Sequence, residues 1–357
     1  MIISRYVTRE IARPLFIGSV LLAIVFAGYR SAANLSDAAS GLLQPDVALK
    51  LILLETLVAF EVLLPTALYL SVIVGLGRLH SDSEMTALQA TGVSEATVLA
   101  IVLRFSIAVA LVVATLSIFV RPWAYQTSHQ LEARSIAETD ITSLHAERFY
   151  SLPPTQNVLF AEAIDGKQHH MRKVFVQGDQ GDHSMVIYAQ EAYQLPSKEG
   201  SKKSMKFVDG HAYDLGRYDA RDRLLTFRSL TIFLKENPKI DVQKNRKAES
   251  TAALFGSTKP KDIAELQWRL STPVATILLA LLGVPLSRTS PRQRRHSGIL
   301  IAILIYALFF NLTGVAQTWV EQGRIGKIPG LWWAYTIPAG LLLLLLWHPT
   351  RVWRAKR

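Results

Sequence analysis

The run LILLETLVAFEVLLPTALYLSVIVGL, residues 51 to 76, carries only two charged side chains, Glu55 and Glu61. A helix over this run rises about 39 Å, more than the roughly 30 Å of hydrocarbon in a bilayer. Two further apolar runs flank it, Leu15 to Ala32 and Val98 to Val120. Three more follow a polar stretch of about 150 residues: Pro273 to Leu286, Ile299 to Ala316 and Leu331 to Trp347. Pro273 to Leu286 is short and reaches spanning length only if its helix begins earlier, near Leu266. The pattern predicts six transmembrane helices, three on each side of an inserted soluble domain.

Charge orients this layout. With the N-terminus inside, the inner ends and loops hold twelve Lys and Arg against four acids, Glu10, Asp82, Glu84 and Glu95. Residues 34 to 49, on the other side, hold no Lys or Arg, and 318 to 330 hold only Arg324 and Lys327. The positive-inside rule then places both termini in the cytoplasm and the large insert outside. The same distribution explains the net charge of +11 without nucleic acid. Residues 121 to 269 carry 22 cations and 19 acids, a net of only +3, so no basic face is available for a polyanion.

Half the residues are hydrophobic and the mean hydropathy is +0.23, which fits a membrane layer joined to a polar one. The first apolar run is too long for a signal-peptide core and is expected to stay as an anchor. Cysteine is absent, which removes thiol chemistry, disulfides and cysteine metal sites.

The insert reads as β-structure. After a polar, helical stretch from Ser128 to Leu144, strand-length apolar runs recur at Val158 to Ala163, Lys173 to Gln177, Met185 to Ala189, Met205 to Val208, Ala212 to Leu215 and Leu224 to Leu234. Asp165-Gly166, Gly178 to Gly181, Pro196 to Gly200 and Asp209-Gly210 are the turn signals between them. A sandwich, a roll and a partly open barrel all fit. Asn237 to Lys261, rich in Lys, Ser and Asn, reads as a mobile loop or linker.

Catalytic signatures are missing. No phosphate loop occurs, since Gly166-Lys167 precedes Gln168 and Gly326-Lys327 precedes Ile328, and neither H-E-x-x-H nor G-x-S-x-G is present. His169 and His170 are neighbours, but adjacent strand residues point to opposite faces, so an exposed turn suits them better than a metal. The chain is expected to have no catalytic residue, no metal and no cofactor of its own.

Between the second and third runs lies Gly77-Arg78-Leu79-His80, then Ser81-Asp82-Ser83-Glu84, then Met85, Leu88 and Gly92. Ser81 and Glu84 have capping-box spacing and Gly92 supplies a stop, which predicts a short amphipathic helix over about 81 to 91 on the inner surface. It is either a capped connector resting on lipid headgroups or a docking helix that offers Glu84 to a basic groove of a cytoplasmic partner. Within the spans, Glu55, Glu61 and Arg104 are the charged exceptions, expected to face protein or water. Pro65, Gly75 and Gly77 are expected to bend or loosen the second span.

Several separated segments carry a family resemblance: Met1-Ile2-Ile3-Ser4-Arg5-Tyr6 with Arg9-Glu10, Leu64-Pro65 through Gly77-Arg78-Leu79 to Ser83-Glu84, Thr91-Gly92-Val93-Ser94, and Glu265-Leu266-Gln267-Trp268-Arg269 leading to Val284-Pro285-Leu286 and Pro291-Arg292. Together they resemble the permeases of the lipopolysaccharide exporter of Gram-negative bacteria, the F type more than the G type. The resemblance implies an α+β membrane protein of the bacterial inner membrane. Residues 1 to 121 would form the first three helices, 122 to 264 a periplasmic jelly-roll-like β-domain, and 265 to 357 the last three helices. It also implies a G-type permease as heterodimer partner, a cytoplasmic ATPase dimer that hydrolyses the ATP, a jelly-roll bridge protein, and lipopolysaccharide drawn from membrane lipid.

By the same resemblance Glu84, with Ser83, Met85 and Leu88, belongs to the helix that contacts the ATPase. Arg30, at the outer end of the first span, is a boundary cation that can snorkel to the interface, or a bidentate phosphate contact. The resemblance implies the second role, in a ring of cations around the substrate headgroup that Arg324 and Lys327 could join. A membrane-anchored periplasmic scaffold and a permease for another lipid or lipoprotein are the alternative readings.

Overall fold

The computed structural model describes residues 2–39, 45–138, 146–152, 157–165, 170–179, 183–195, 204–216, 222–233, 246–288 and 295–347. Two compact units emerge from the packing, one of Met1–Arg30, Ile52–Thr127 and Gln243–Arg357, the other of Ser31–Leu51 and Ser128–Val242.

The first unit is helical. The helical elements of the chain are α1 (Ile2–Ala39), α2 (Pro45–Ser81), α3 (Glu84–Ala90), α4 (Glu95–Thr115), a π-helical turn (Leu116–Val120), α5 (Arg121–Glu138), α6 (Thr251–Phe255), α7 (Pro260–Leu286), α8 (Arg295–Glu321) and α9 (Trp333–Trp347), of which the end of α1, the start of α2 and the end of α5 fall in the second unit. Five helical segments among the described residues are long and apolar enough to cross a bilayer: Ile2–Ala32, Pro45–Ser81, Glu95–Ala133, Pro260–Leu286 and Ile299–Glu321. The sixth, α9, has 15 residues and rises about 22 Å, which falls below the length of the others. The fourth span starts earlier than Leu266, at Pro260, where proline's fixed φ and missing N–H suit a first helical turn.

Because lipid is as apolar as leucine, packing rather than water exclusion holds such helices together, and small residues let them approach. α2 packs on two faces. Leu68, Val72, Leu76 and Leu79 pack with Val7 and Ile11 of α1, Val98, Ile101 and Val102 of α4, and Ala280 and Val284 of α7. Tyr69 and Ile73, one residue on, pack with Ala275, Leu279, Ala302, Phe309 and Ala334. Hydrogen bonds reinforce the second face, from Thr66 Oγ1 to Tyr306 Oη at 2.5 Å and from Tyr69 Oη to the Ala302 carbonyl at 3.2 Å.

Pro65 and Gly75 do not break α2, which is continuous. Gly75 has the opposite effect to the loosening expected of it. A Cβ there would lie 2.8 Å from the Glu10 carbonyl oxygen, so only glycine lets α1 rest on α2 at this spacing. Gly75→Val is expected to cost about 1–3 kcal/mol by wedging the two helices apart. An unchanged thermal midpoint of the detergent-solubilised chain would refute that packing.

The second unit contains one six-stranded antiparallel sheet whose strands pair in chain order: β1 (Phe149–Leu152), β2 (Asn157–Asp165), β3 (His170–Asp179), β4 (His183–Leu195), β5 (Ser204–Gly216) and β6 (Arg223–Phe233). Its core holds Tyr150, Leu159, Ala161, Met171, Val174, Ile187, Ala192 and Phe207. The sequence left a sandwich, a roll and a partly open barrel open; among the described residues the strands form a single meander, and it bends at one row. The ladder skips Glu162 opposite Lys173, Lys173 opposite Gln190, Gln190 opposite Asp209, and Asp209 opposite Arg228. Lys173 and Asp209 there have φ of 47° and 49°.

On both sides of this row the buried positions alternate, but across it they are three apart, as in Met171 and Val174, Ala189 and Ala192, and Phe207 and Gly210. The inward face therefore changes parity at one line through five strands, which creases the sheet and keeps apolar side chains inside on both halves. Polar side chains occupy the outside of the crease, where Lys173 Nζ meets Glu162 at 2.8 Å and the carboxylate pushes the ammonium pKa upward.

Three expectations change here. Asp209-Gly210 is no turn but the crease of β5, and Gly210 is required because a Cβ would lie 2.3 Å from the Tyr188 carbonyl oxygen. The polar helix before the sheet starts at Arg121, continuous with the third span, and its expected end at 139–144 lies outside the described residues. Residues 246–261, expected to belong to a mobile linker, form a turn, α6 and the start of α7, for a reason that the buried charges supply; 237–245 lie outside the described residues.

Candidate functional site

At one end of the helical unit α3 forms the connection between α2 and α4, in the region where a capping box was expected, but the box does not form. α2 runs on through Ser81, whose Oγ donates to the Arg78 carbonyl at 2.9 Å and to Asp82 Oδ1 at 3.1 Å. Ser83, with φ of 58°, turns the chain instead and makes no side-chain cap. Glu84 is thereby released from capping, and Tyr6 Oη of α1 donates to its Oε2 at 2.5 Å.

Beside it Arg78 pairs with Glu10 at 2.8 Å and with Asp82 at 3.5 Å. The start of α1 and the end of α2 are thus fastened to each other and to α3 by ionic and phenolic contacts. Of the four residues expected to face a partner, Ser83 is exposed and Glu84 and Leu88 are half-buried, whereas Met85 is buried in the chain's own core. Met85 anchors α3; the exposed side belongs to Thr86, Ala87, Gln89 and Ala90.

Arg30 Nη2 meets Glu55 Oε1 of α2 at 2.7 Å, with the side chains 39% and 23% exposed, so an acid already faces the guanidinium. Arg324 and Lys327 are exposed in the turn between α8 and α9. That turn is pinned from beneath: the Gln267 amide donates to the Lys327 carbonyl at 2.9 Å, and its oxygen accepts from the Leu331 N–H at 2.8 Å. Arg104 is exposed on α4.

A third set of charges was foreseen only in part. Glu61 of α2 is 1% exposed and accepts from Arg121 Nη1 at 2.8 Å, Ser117 Oγ at 3.0 Å and Trp268 Nε1 at 2.9 Å. Arg121 turns its Nε and Nη2 to Glu265 at 2.9 and 3.3 Å, and Glu265 also accepts from Arg269 Nε at 3.0 Å. Arg269, 0% exposed, spends its other four N–H groups on the Glu249, Arg246 and Lys247 carbonyls and Thr251 Oγ1. Two buried acids and two buried bases are balanced, as burial demands. The sequence signals available were Glu61 inside an apolar run and the i,i+4 spacing of Glu265 and Arg269.

Among the described residues no group of three or more His, Cys, Asp or Glu could hold a metal.

The sequence matches the family model "Lipopolysaccharide export system permease LptF/LptG" over residues 5–348. It is 25% identical over 361 residues to the lipopolysaccharide export system permease protein LptF of Escherichia coli strain K12, covering 100% of this chain and 98% of that protein. The Shigella flexneri protein of the same description matches to the same extent. A match over nearly the whole chain, on helices apolar enough to span a membrane and a separate antiparallel sheet, shows that this chain belongs to the LptF/LptG family of lipopolysaccharide export system permeases.

Proposed function

We propose that this permease is one half of a heterodimer that draws lipopolysaccharide out of the inner membrane and passes it to a periplasmic bridge protein, driven by a separate cytoplasmic ATPase dimer. The observation that carries the reading is the family match over residues 5–348. Its partner is a G-type permease. Both termini lie in the cytoplasm and the sheet, within 122 to 264, in the periplasm, an orientation supported by the excess of Lys and Arg at the inner ends. The chain uses no cofactor, and ATP is spent by the partner.

In this reading α3 is the ATPase-docking helix, with Glu84 the ionic contact and Ser83 and Leu88 beside it, while Met85 holds the helix in place. A push on α3 reaches α1 through Tyr6 and α2 through the Arg78–Glu10 pair, so nucleotide-driven approach of two such helices narrows the space between subunits. The acyl chains rest on exposed apolar side chains such as Phe16, Leu21 and Ile24, and the phosphates on Arg30, Arg324 and Lys327. Glu55 holds Arg30 extended until a phosphate competes for it. The apolar inside of the sheet receives the lipid.

The test is ATP-dependent release of lipopolysaccharide from vesicles containing the assembled complex. Arg30→Ala is expected to lower release about tenfold, the loss of one charge-assisted bidentate contact. Folding should change by less than about 1 kcal/mol, because the Glu55 pair is partly exposed. Release that does not depend on ATP in the parent complex would overturn the exporter reading. Full release by the variant would remove Arg30 from the headgroup site.

A further inference from the structure

Of the four places where the chain passes from one unit to the other, two adjoin in sequence the segments that the buried cluster holds within the helical unit. The outgoing one leaves along α5, which begins at Arg121, and the returning one leads into 246–251, whose carbonyls and hydroxyl Arg269 holds. We propose that Glu61, Arg121, Glu265 and Arg269 act as a joint that makes the packing of α2 and the anchoring of the returning segment a single cooperative unit.

Four observations carry this. The cluster bridges four segments, α2, the π-turn with α5, residues 246–251, and α7, through an unbroken chain of bonds between 2.8 and 3.3 Å. All five N–H donors of Arg269 are used, so the returning segment has one seat rather than several. The π-helical turn sits at the junction: Ser117 donates to Glu61, and Thr251 Oγ1 donates to the Ile118 carbonyl at 2.8 Å. A wider turn is a local irregularity that a helix keeps where it has a structural or functional use. Finally, a buried network of balanced charges is high-stakes, because loosening one member leaves the others unpaired in a medium of low dielectric. The bonds run from Glu61 through Arg121, Glu265 and Arg269 to the Glu249 carbonyl, so a shift of α2 moves the seat of the returning segment with it.

The consequence lies beyond transport itself. Glu61 makes no bond to 246–251, yet its loss should be felt there. The experiment is hydrogen exchange of the 246–255 amides in the full-length chain, assembled with its partners in lipid nanodiscs, for the parent, Glu61→Gln, Arg269→Lys and the double variant. Arg269→Lys keeps the charge and loses the five-donor fork. Each single change is expected to speed exchange of this segment by about tenfold, and the double by little more than either. Unchanged exchange in Glu61→Gln, or single effects that multiply in the double, overturns the joint. Should Glu61→Gln lower the yield of folded chain, Ser117→Ala removes one donor to Glu61 and is expected to speed exchange about threefold, with no change again decisive against it. The inference rests on the exporter reading only for the choice of partners; exchange is read without lipopolysaccharide or ATP, so a failure of transport leaves its outcome unchanged.

Discussion

Glu265→Ala is expected to destabilise the helical unit by about 3–5 kcal/mol, the range for breaking a buried ion pair. Glu265 lies between Arg121 and Arg269 and is the carboxylate they share. Without it two guanidinium groups, 7% and 0% exposed, remain enclosed with Glu61 as their one carboxylate, and neither can shed its charge. Arg269 keeps its carbonyl partners but loses the opposite charge. Glu265→Gln should cost less, since the amide oxygen still accepts one N–H. The measurement is denaturation of the detergent-solubilised chain followed by tryptophan fluorescence, for which Trp268, bonded to Glu61, is a local reporter. An alanine variant within about 1 kcal/mol of the parent would show that water or rearrangement replaces Glu265 at little cost, and the charges would then be incidental.

Glu84→Ala is expected to lower ATP-driven lipopolysaccharide release by tenfold or more, on the order of 1.4 kcal/mol of lost coupling or greater, while the chain stays folded. Folding survives because the side chain's hydrogen bond is one phenol at the edge of α3, worth about 1 kcal/mol. Tyr6→Phe separates two explanations. If Glu84 acts only by fastening α3 to α1, losing the phenol does equal harm. If the carboxylate also meets a basic groove on the ATPase, Tyr6→Phe is the milder change and weakens ATPase association less. Unaltered release in Glu84→Ala would remove the coupling role from α3 altogether.

Much of the architecture was legible because membrane partition and strand formation act on neighbouring residues. The run at 51–76 became α2, and β2, β3 and β6 were located, because each answers to its own hydropathy or alternation, with β4 read short at its end, β5 read as two pieces and β1 missed. Phe207-Val208-Asp209-Gly210 misled for a reason that lies in its neighbours. Asp-Gly in an apolar run signals a hairpin turn, but here the same row bends in β2, β3, β4 and β6 as well, so the chain continues straight through a shared crease. Ser81 likewise has capping-box spacing to Glu84, yet it is the last residue of α2 and its hydroxyl turns back to the Arg78 carbonyl.

Of the site residues, Arg30, Glu55 and Glu84 could be singled out as charges in or beside apolar runs, but the pairing of Arg30 with Glu55 and of Glu84 with Tyr6 could not. Met85 reads as one more residue of a docking helix and proves to be its buried anchor. The cluster around Arg121 was the least legible, as Arg121 and Glu265 are 144 positions apart.

By itself, then, the sequence determined where this protein is apolar enough for lipid, where it forms strands, and on which side its cations collect. Those are sums over consecutive residues. Tertiary structure alone decided which buried acid meets which buried base, that one row creases five strands, and that residues 246–261 are anchored rather than loose. Pair energies fall steeply with distance in space, and distance in space between remote segments is fixed only when the helices and strands have packed.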